Sequence, residues 1–194
     1  IAQCLVGSEM CIRDRVKADA YGHGAVMIAP VLLASGVDFL GVSSVDEGLQ
    51  LRENDITAPI LVLGAVPVWS FDRAAQNNIS VSVFSDEHIE ACRQTYEKLK
   101  IKPKVHVKID TGMNRIGVRP DKAVEFIEKI RACDFIELEG IFTHFATAET
   151  ESYACEQYEQ FKSVVDNVDT KGLLVHCCNC LLYTSPSPRD TERS

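Results

Sequence analysis

The sequence lacks an apolar run of the ~18 to 20 residues that a membrane-spanning helix needs, and it shows no signal peptide. It also lacks a surplus of positive charge, since 20 lysines and arginines stand against 28 aspartates and glutamates, a net charge of −8. Proteins that bind nucleic-acid backbones usually present a basic stripe. We therefore expect neither a membrane nor a nucleic acid as partner. A hydrophobic content of 46% predicts one globular domain with a sizeable core.

Disulfide and metal patterns are missing as well. The interior cysteines are Cys92, Cys133, Cys155, Cys177 and Cys178, and they have no CxxC spacing and no repeating interval. A chain of 194 residues can build a core without disulfides, so we expect reduced thiols and a cytoplasmic location. Cys177, Cys178 and Cys180 mimic a metal cluster with His176. Adjacent cysteines chelate one ion poorly, so we expect no bound metal.

The two ends of the sequence differ from its middle and show neither helical nor strand periodicity. LVGSEMCIRD (Leu5–Asp14) and CLLYTSPSPR (Cys180–Arg189) can be encoded by one DNA element in opposite orientations. This element resembles a transposase-type sequencing adapter. We therefore predict that residues 1–15 and 180–194 are non-native tails, and that the native segment, 16–179, is truncated on both sides.

Between these ends, short apolar runs alternate with longer amphipathic ones. Strands are predicted over Val16–Ala18, Phe39–Ser43, Ile60–Leu63, Ile79–Val83, Val105–Ile109, Leu138–Thr143 and Leu173–His176. Helices are predicted over Gly24–Ser35, Val45–Glu53, Trp69–Asn77, Asp86–Leu99, Pro120–Ala132 and Tyr153–Val168. This alternation without a long linker predicts an α/β fold of parallel strands, either an open doubly wound sheet or a (β/α) barrel. No GxGxxG follows the first strand, which weakens the dinucleotide-binding version of the open sheet.

Polar side chains gather at the carboxyl ends of the predicted strands, where the active site of a parallel barrel lies. They are Lys17, Asp19, Tyr21, His23, Lys108, Asp110, Thr111, Asn114, Arg115, His144, His176 and Asn179. Other candidates have simpler interpretations. We expect His106 to be a core histidine, His23 and His88 to lie on the surface or in loops, and Trp69 to pack at the start of a helix.

The first motif, VKADAYGHG (Val16–Gly24), places a lysine at a predicted strand end before a glycine-rich turn. A lysine amine condenses with an aldehyde into a Schiff base when burial or nearby cations lower its pKa. Gly22 and Gly24 would let backbone amides approach a phosphate, and Tyr21 could donate its hydroxyl. Taken alone, the motif also fits a surface lysine beside a glycine turn.

The second motif, HVKIDTGMNRIG (His106–Gly117), combines a strand with an Asp-Thr-Gly turn. Lys108 and Arg115 favour the binding of an anion, such as a carboxylate or a cofactor oxygen, and buried cations need a counter-charge. The Asp-Thr-Gly triplet is also the motif of aspartic proteases. Those enzymes need two facing carboxylates, and the sequence has no second DTG.

In this order, VKADAYGHG, KIDTGMNRIG, GIFTHFATAE and VHCCN resemble the successive motifs of the alanine racemase family, over essentially all of residues 16–179. The resemblance implies a partial (β/α)8 TIM-like barrel with about seven of its eight strands and without the C-terminal β domain. It implies an isomerase that uses pyridoxal 5'-phosphate (PLP) to interconvert L-alanine and D-alanine. It also implies a homodimer that supplies D-alanine for the cell wall.

The resemblance assigns a role to each candidate residue around the cofactor. Lys17 would be the catalytic Schiff-base lysine and one of two acid–base groups. Tyr21 would bind the cofactor phosphate, and Asn179 would stand beside the phosphate pocket. His144 would support the pyridine ring of the cofactor.

Two further residues would bind oxygen atoms. Arg115 would hold the phenolic oxygen of PLP and the carboxylate of the substrate, and a carbamylated Lys108 would supply the anion that orients Arg115. In the family the second acid–base group is a tyrosine from the C-terminal domain of the partner subunit, which this sequence does not include.

Two alternatives stay open at this point. The first is a related PLP barrel decarboxylase acting on a diamino acid, which the DTGMNRIG motif with Lys108 and Arg115 disfavours. The second is a single-domain protein that binds PLP without turnover.

Overall fold

The structure is a computed structural model that describes residues 13–146 and 151–177 of the chain. Its strands form one parallel sheet in chain order. They are β1 (Arg13–Arg15), β2 (Phe39–Val42), β3 (Ile60–Val62), β4 (Ile79–Val83), β5 (Lys104–Ile109), β6 (Glu137–Thr143) and β7 (Leu174–Cys177). An open doubly wound sheet reverses its strand order at a switch point. The strands described here show no reversal, so the predicted partial barrel is confirmed.

Helical segments connect the strands on the outside of the sheet. They are α1 (Lys17–Gly22), α2 (Ala25–Ala34), α3 (Val45–Glu53), a 3-10 turn (Val68–Ser70), α4 (Phe71–Gln76), α5 (Asp86–Leu99), α6 (Pro120–Arg131) and α7 (Glu151–Val165). Within the described ranges, none of these helices has the length and apolar character required to cross a membrane.

The strands bury both of their faces, because the inside of the barrel and the helical layer each cover one of them. Phe39, Leu61 and Phe142 form a small cluster on the inner face. The larger cluster packs the outer face against the helices, with residues such as Leu40 and Ile60 fully buried. This two-sided burial explains the continuous apolar runs in the strand sequences.

The first strand differs from its prediction. Val16–Ala18 was expected to be extended, but β1 is Arg13–Arg15, and Lys17 begins α1 two residues after the strand ends. β1 pairs with β2 in parallel, with Arg15 opposite Gly41, although the sequence places residues 1–15 in a non-native tail. Strand pairing uses backbone N–H and C=O groups, so side-chain composition does not reveal it.

Two aromatic side chains also differ from their predictions. Trp69, expected to pack, is 79% exposed in the 3-10 turn, and Phe71 fills the core position instead. His88, expected on the surface, is only 7% exposed and lies between the rings of Phe71 and Phe84. The backbone N–H of Phe84 donates to His88 Nδ1 at 3.2 Å, and burial lowers the pKa of His88. His88 belongs to the apolar face of α5, which helical periodicity predicts.

One arginine joins three separate segments near the amino ends of the strands. The Arg52 guanidinium, at the end of α3, donates to the carbonyls of Asn77 (2.9 Å) and Asn78 (2.8 Å) before β4. It also donates to the carbonyls of Ile56 (2.5 Å) and Ala58 (2.8 Å) before β3. Four backbone acceptors therefore depend on one side chain.

Candidate functional site

A cavity of about 390 Å³ opens at the carboxyl ends of the strands, a volume within the range of small-molecule sites. Its lining residues are Arg15, Lys17, Ser43, Leu63, Gly64, Ala65, Lys108, Arg115, Ile116, Phe142 and His144. They come from the ends of five strands and from the segments that follow them. The site therefore depends on the barrel and not on one local motif.

The charge of this cavity is one-sided. Arg15, Lys17, Lys108 and Arg115 line it, and none of the described residues in its lining is an aspartate or glutamate. Leucine, isoleucine and phenylalanine side chains form its apolar walls. Cations in a low-dielectric pocket need anionic partners, so the cavity suits a partly apolar ligand that carries negative groups.

Lys17 enters the cavity from an unusual backbone. The four residues after it, Ala18 to Tyr21, all have positive φ between 50 and 57°. Left-handed helical geometry costs an L-residue about 1–2 kcal/mol. Gly22 and Gly24 continue with φ of 87 and 85°, which glycine adopts without that cost. Such outliers cluster at functional sites, where surrounding contacts hold them in place.

Lys108 lies at the end of β5 and is 2% exposed. Its Nζ donates to the carbonyl of Ile109 at 3.2 Å and lies 5.3 Å from the ring centroid of Phe142. Burial lowers the pKa of Lys108 to about 8. Asp110 opposes this shift, whereas the charges of Arg115 and Arg15 add to it. With a pKa of about 8, roughly a tenth of this amine is neutral at pH 7, far more than for an ordinary lysine.

Arg15 fixes the state of His144. An Arg15 Nη2 lies 3.0 Å from His144 Nδ1. A guanidinium can only donate hydrogen bonds, so Nδ1 is the acceptor and the imidazole is neutral with its proton on Nε2. His144 therefore supports the cavity as a neutral ring.

Arg115 is carried by a loop that is closed at its base. Asp110 N donates to Val118 O at 2.8 Å, and Val118 N donates to Lys108 O at 2.9 Å. Inside the loop, Asp110 Oδ1 accepts from the backbone N–H groups of Gly112 (3.1 Å) and Asn114 (3.0 Å). The DTG turn is thus a scaffold that presents Arg115 to the cavity.

Two backbone segments approach each other closely at the edge of the cavity, where one residue is a glycine. A Cβ on Gly64 would lie 2.5 Å from the carbonyl oxygen of Ser43, and both residues line the cavity. No side chain fits there without moving the backbone. Gly64 therefore brings the ends of β2 and β3 together at the site.

A buried ionic cluster lies inside the barrel below Phe142. His106 is fully buried, as expected for a core histidine, and its Nε2 lies 3.6 Å from Glu139 Oε2. Ser80 Oγ donates to the same oxygen at 2.5 Å, and Lys104 Nζ lies 3.2 Å from Oε1. Burial raises the pKa of Glu139, but the Ser80 hydrogen bond and the nearby His106 and Lys104 outweigh it and hold the pKa at about 2.

The structure brings four of the predicted site residues together: Lys17, Lys108, Arg115 and His144. Tyr21 is 59% exposed, does not line the cavity, and its ring centroid lies 5.8 Å from Lys17 Nζ. Asn179 lies outside the described residues. The roles assigned to all six stay predictions.

The cavity residues that the sequence analysis does not single out include Arg15, Ser43 and Gly64. Arg15 lies in the segment that the sequence predicts to be a non-native tail. Ser43 and Gly64 each follow an apolar strand, and a position at the carboxyl end of a barrel strand could have predicted that they line the site.

Fold and site together define a class: a parallel (β/α)-barrel domain with a lysine-bearing cationic cavity at the carboxyl ends of its strands. The profile of the family described as "Alanine racemase, N-terminal domain" matches residues 2–187. The chain therefore belongs to the alanine racemase N-terminal domain family.

Individual relatives agree with this assignment. Alanine racemase 1 of Oceanobacillus iheyensis is 42% identical over 170 residues, which cover 84% of this chain and 45% of the relative. The alanine racemase structure from Clostridium difficile 630 is 40% identical with a TM-score of 0.84, covering 90% of this chain and 47% of that one.

A racemase with a different name shares the same fold. The histidine racemase structure from Leuconostoc mesenteroides subsp. sake is 29% identical with a TM-score of 0.77, over 87% of this chain and 46% of that one. The chain thus spans about half the length of the relatives it matches.

Proposed function

We propose that this chain is the cofactor-binding part of a PLP-dependent alanine racemase, an isomerase that interconverts L-alanine and D-alanine. The single observation that supports this most strongly is the cavity, which combines the Lys17 amine with Lys108 and Arg115 and has no carboxylate among its described lining residues. PLP is an aromatic aldehyde that carries a phosphate and a phenolic oxygen. The donors and apolar walls of the cavity fit each of these groups.

When bound, PLP supplies an electron sink for negative charge at the α-carbon of an amino acid. We propose that Lys17 moves the proton at that carbon on its own face, and that the opposite face is served by a second acid–base group. Arg115 binds the carboxylate of the substrate, and the His144 ring packs beside the cofactor ring. Tyr21 and Asn179 bind the phosphate in this proposal.

We also propose that Lys108 is carbamylated. Its lowered pKa makes a neutral amine available, and an amine reacts with carbon dioxide to give a carbamate and a proton. The reaction turns a buried cation into an anion beside Arg115. It would relieve the surplus of positive charge in the cavity and orient the Arg115 guanidinium.

The setting of the enzyme is part of the proposal. We propose a cytoplasmic homodimer that takes alanine as substrate and supplies D-alanine for the cell wall. The described cysteines, Cys92, Cys133, Cys155 and Cys177, are free thiols, which suits a reducing compartment. We further propose that residues 16–179 are the native part of the chain.

The test is covalent trapping of the cofactor. The protein is incubated with PLP and reduced with borohydride, which adds a hydride to the carbon–nitrogen double bond formed when the lysine amine and the aldehyde lose water. Peptide mass spectrometry then locates the pyridoxyl group. We expect it on Lys17, and we expect Lys17→Ala to abolish the saturable labelling.

Lys100 provides a matched control. Its Nζ lies 5.8 Å from the ring centroid of Tyr96, the same arrangement as Lys17 with Tyr21, but it is outside the cavity. Lys100→Ala should leave the labelling unchanged. Equal labelling of Lys17 and Lys100, or undiminished labelling of Lys17→Ala, would refute the proposed cofactor site.

A further inference from the structure

The backbone that carries Lys17 needs an anchor. Four consecutive L-residues, Ala18 to Tyr21, have positive φ, which is an unfavourable backbone conformation for them. Such left-handed geometry persists only where neighbouring contacts hold it in place. Val16 is held by β2, because its N–H donates to Gly41 O at 2.9 Å. At the far end, Asp19 Oδ1 accepts from Ala25 N at 2.7 Å. The start of the turn, next to Lys17, depends on a different carboxylate.

That carboxylate is Glu47, which lies in the first turn of α3. Its Oε1 accepts from the backbone N–H of Ala18 at 3.0 Å and from Ser43 Oγ at 2.8 Å. Its Oε2 accepts from the backbone N–H of Ser43 at 2.7 Å. Three donors from the segments that follow β1 and β2 therefore converge on one side chain. Ser43 itself lines the cavity.

Glu47 is also part of a capping box. Ser44 is the N-cap of α3, and its Oγ accepts from Glu47 N at 3.2 Å. In an ordinary capping box the glutamate returns to the backbone near the cap, and its effect stays within the helix. Here the same carboxylate reaches 29 residues back along the chain to Ala18. A local helix cap thereby becomes a long-range contact with the residue after Lys17.

We infer that Glu47 is a positioning residue for Lys17: it fixes the first left-handed residue after the lysine and so sets where the amine enters the cavity. Hydrogen bonds to a charged acceptor are stronger than neutral ones, which suits a contact that must hold a strained backbone. The inference rests on the proposed function, because it concerns the lysine that would bind PLP. Glu47 bonds to the backbone N–H of Ala18, the residue after Lys17, so we assign it a positioning role and no chemistry of its own.

The test compares three variants by two measurements. Glu47→Ala removes all three hydrogen bonds. Glu47→Gln retains Oε1 for Ala18 but places an NH2 group against Ser43 N–H. Ser44→Ala removes the helix cap and leaves the contact with Ala18 intact. The first measurement is the rate of pyridoxyl labelling at Lys17. The second, made without PLP, is hydrogen–deuterium exchange of peptides covering residues 16–24.

We expect Glu47→Ala to slow labelling roughly tenfold, the effect of losing one charge-assisted hydrogen bond, and to speed exchange over residues 16–24. Glu47→Gln should lie between wild type and Glu47→Ala in both measurements. In Ser44→Ala, Lys17 should be labelled at the wild-type rate, even if the melting temperature of this variant falls as much as that of Glu47→Ala.

Two results would overturn the inference. One is wild-type labelling and exchange in Glu47→Ala. The other is a loss in Ser44→Ala equal to that in Glu47→Ala, which would show that α3 stability alone matters. If wild type itself is not labelled at Lys17, the proposed function fails. The exchange measurement then decides the anchoring role without the cofactor.

Discussion

Replacing Arg52 with alanine should lower the free energy of unfolding by about 3–5 kcal/mol. The guanidinium donates four hydrogen bonds to backbone carbonyls, and these acceptors lie in the connections that lead into β3 and β4. Truncation leaves several partly buried carbonyls without a partner. Chemical denaturation followed by circular dichroism measures the loss.

Two variants make this result specific. Arg52→Lys keeps the charge but offers a single ammonium group, so it should recover less than half of the lost stability. Arg73→Ala removes an exposed arginine that pairs with Asp46 at 3.0 Å and should cost less than about 1 kcal/mol. Equal effects of Arg52→Ala and Arg73→Ala would contradict a structural role for the four carbonyl contacts.

Replacing Lys108 with methionine should instead stabilise the protein at pH 7, by roughly 2–3 kcal/mol. The pKa of this lysine falls from 10.5 to about 8 on folding, mainly through burial. The protonated amine is therefore disfavoured in the folded state, and that cost is fully present below pH 8. Methionine fills similar space without a charge. Such a gain is expected where a residue is kept for function rather than for stability.

The pH dependence checks the cause. Between pH 8 and 10.5 the unfolded chain binds more protons at Lys108 than the folded chain does, so wild-type stability rises with pH across this window. The advantage of Lys108→Met should shrink over the same window. Lys102→Met, at an exposed position, is the control and should show no such trend.

Carbon dioxide offers a second check on Lys108. If the amine is carbamylated, added bicarbonate should stabilise wild type and leave Lys108→Met unchanged, because ligand binding to the folded state adds to its stability. If Lys108→Met is less stable than wild type at pH 7 without bicarbonate, the Lys108 amine has a favourable partner in the folded protein, and the predicted stabilisation is wrong.

Much of the fold could be predicted from the sequence, because its signals are local. α3 and α5 occur at their predicted bounds, Val45–Glu53 and Asp86–Leu99, where acidic first turns and apolar periodicity agree. The inner strands differ from prediction by at most one residue at each end, as with Ile60–Val62. The first strand could not be predicted, since its pairing depends on backbone groups and its side chains are polar.

The candidate site was predictable to the same degree. Lys17, Lys108, Arg115 and His144 share a cavity because the carboxyl ends of parallel strands meet at one edge of the barrel. Glu47 shows what the sequence alone does not predict about this site. The spacing of Ser44 and Glu47 is a visible capping box, but its contact with Ala18 depends on the neighbouring strand and has no sequence signal. Long-range contacts of this kind require the three-dimensional arrangement.

The left-handed stretch after Lys17 has a consequence for stereochemistry. The conformation at Ala18, with φ and ψ both 50°, is the mirror image of the one that L-residues prefer, so it is the preferred helical geometry of a D-residue. Ala18 is exposed, so inverting its α-carbon by chemical protein synthesis leaves the core untouched. A D-alanine there should stabilise the fold by about 1 kcal/mol. One inverted stereocentre would thus relieve part of the backbone strain in the conformation that the Glu47 hydrogen bond holds in place.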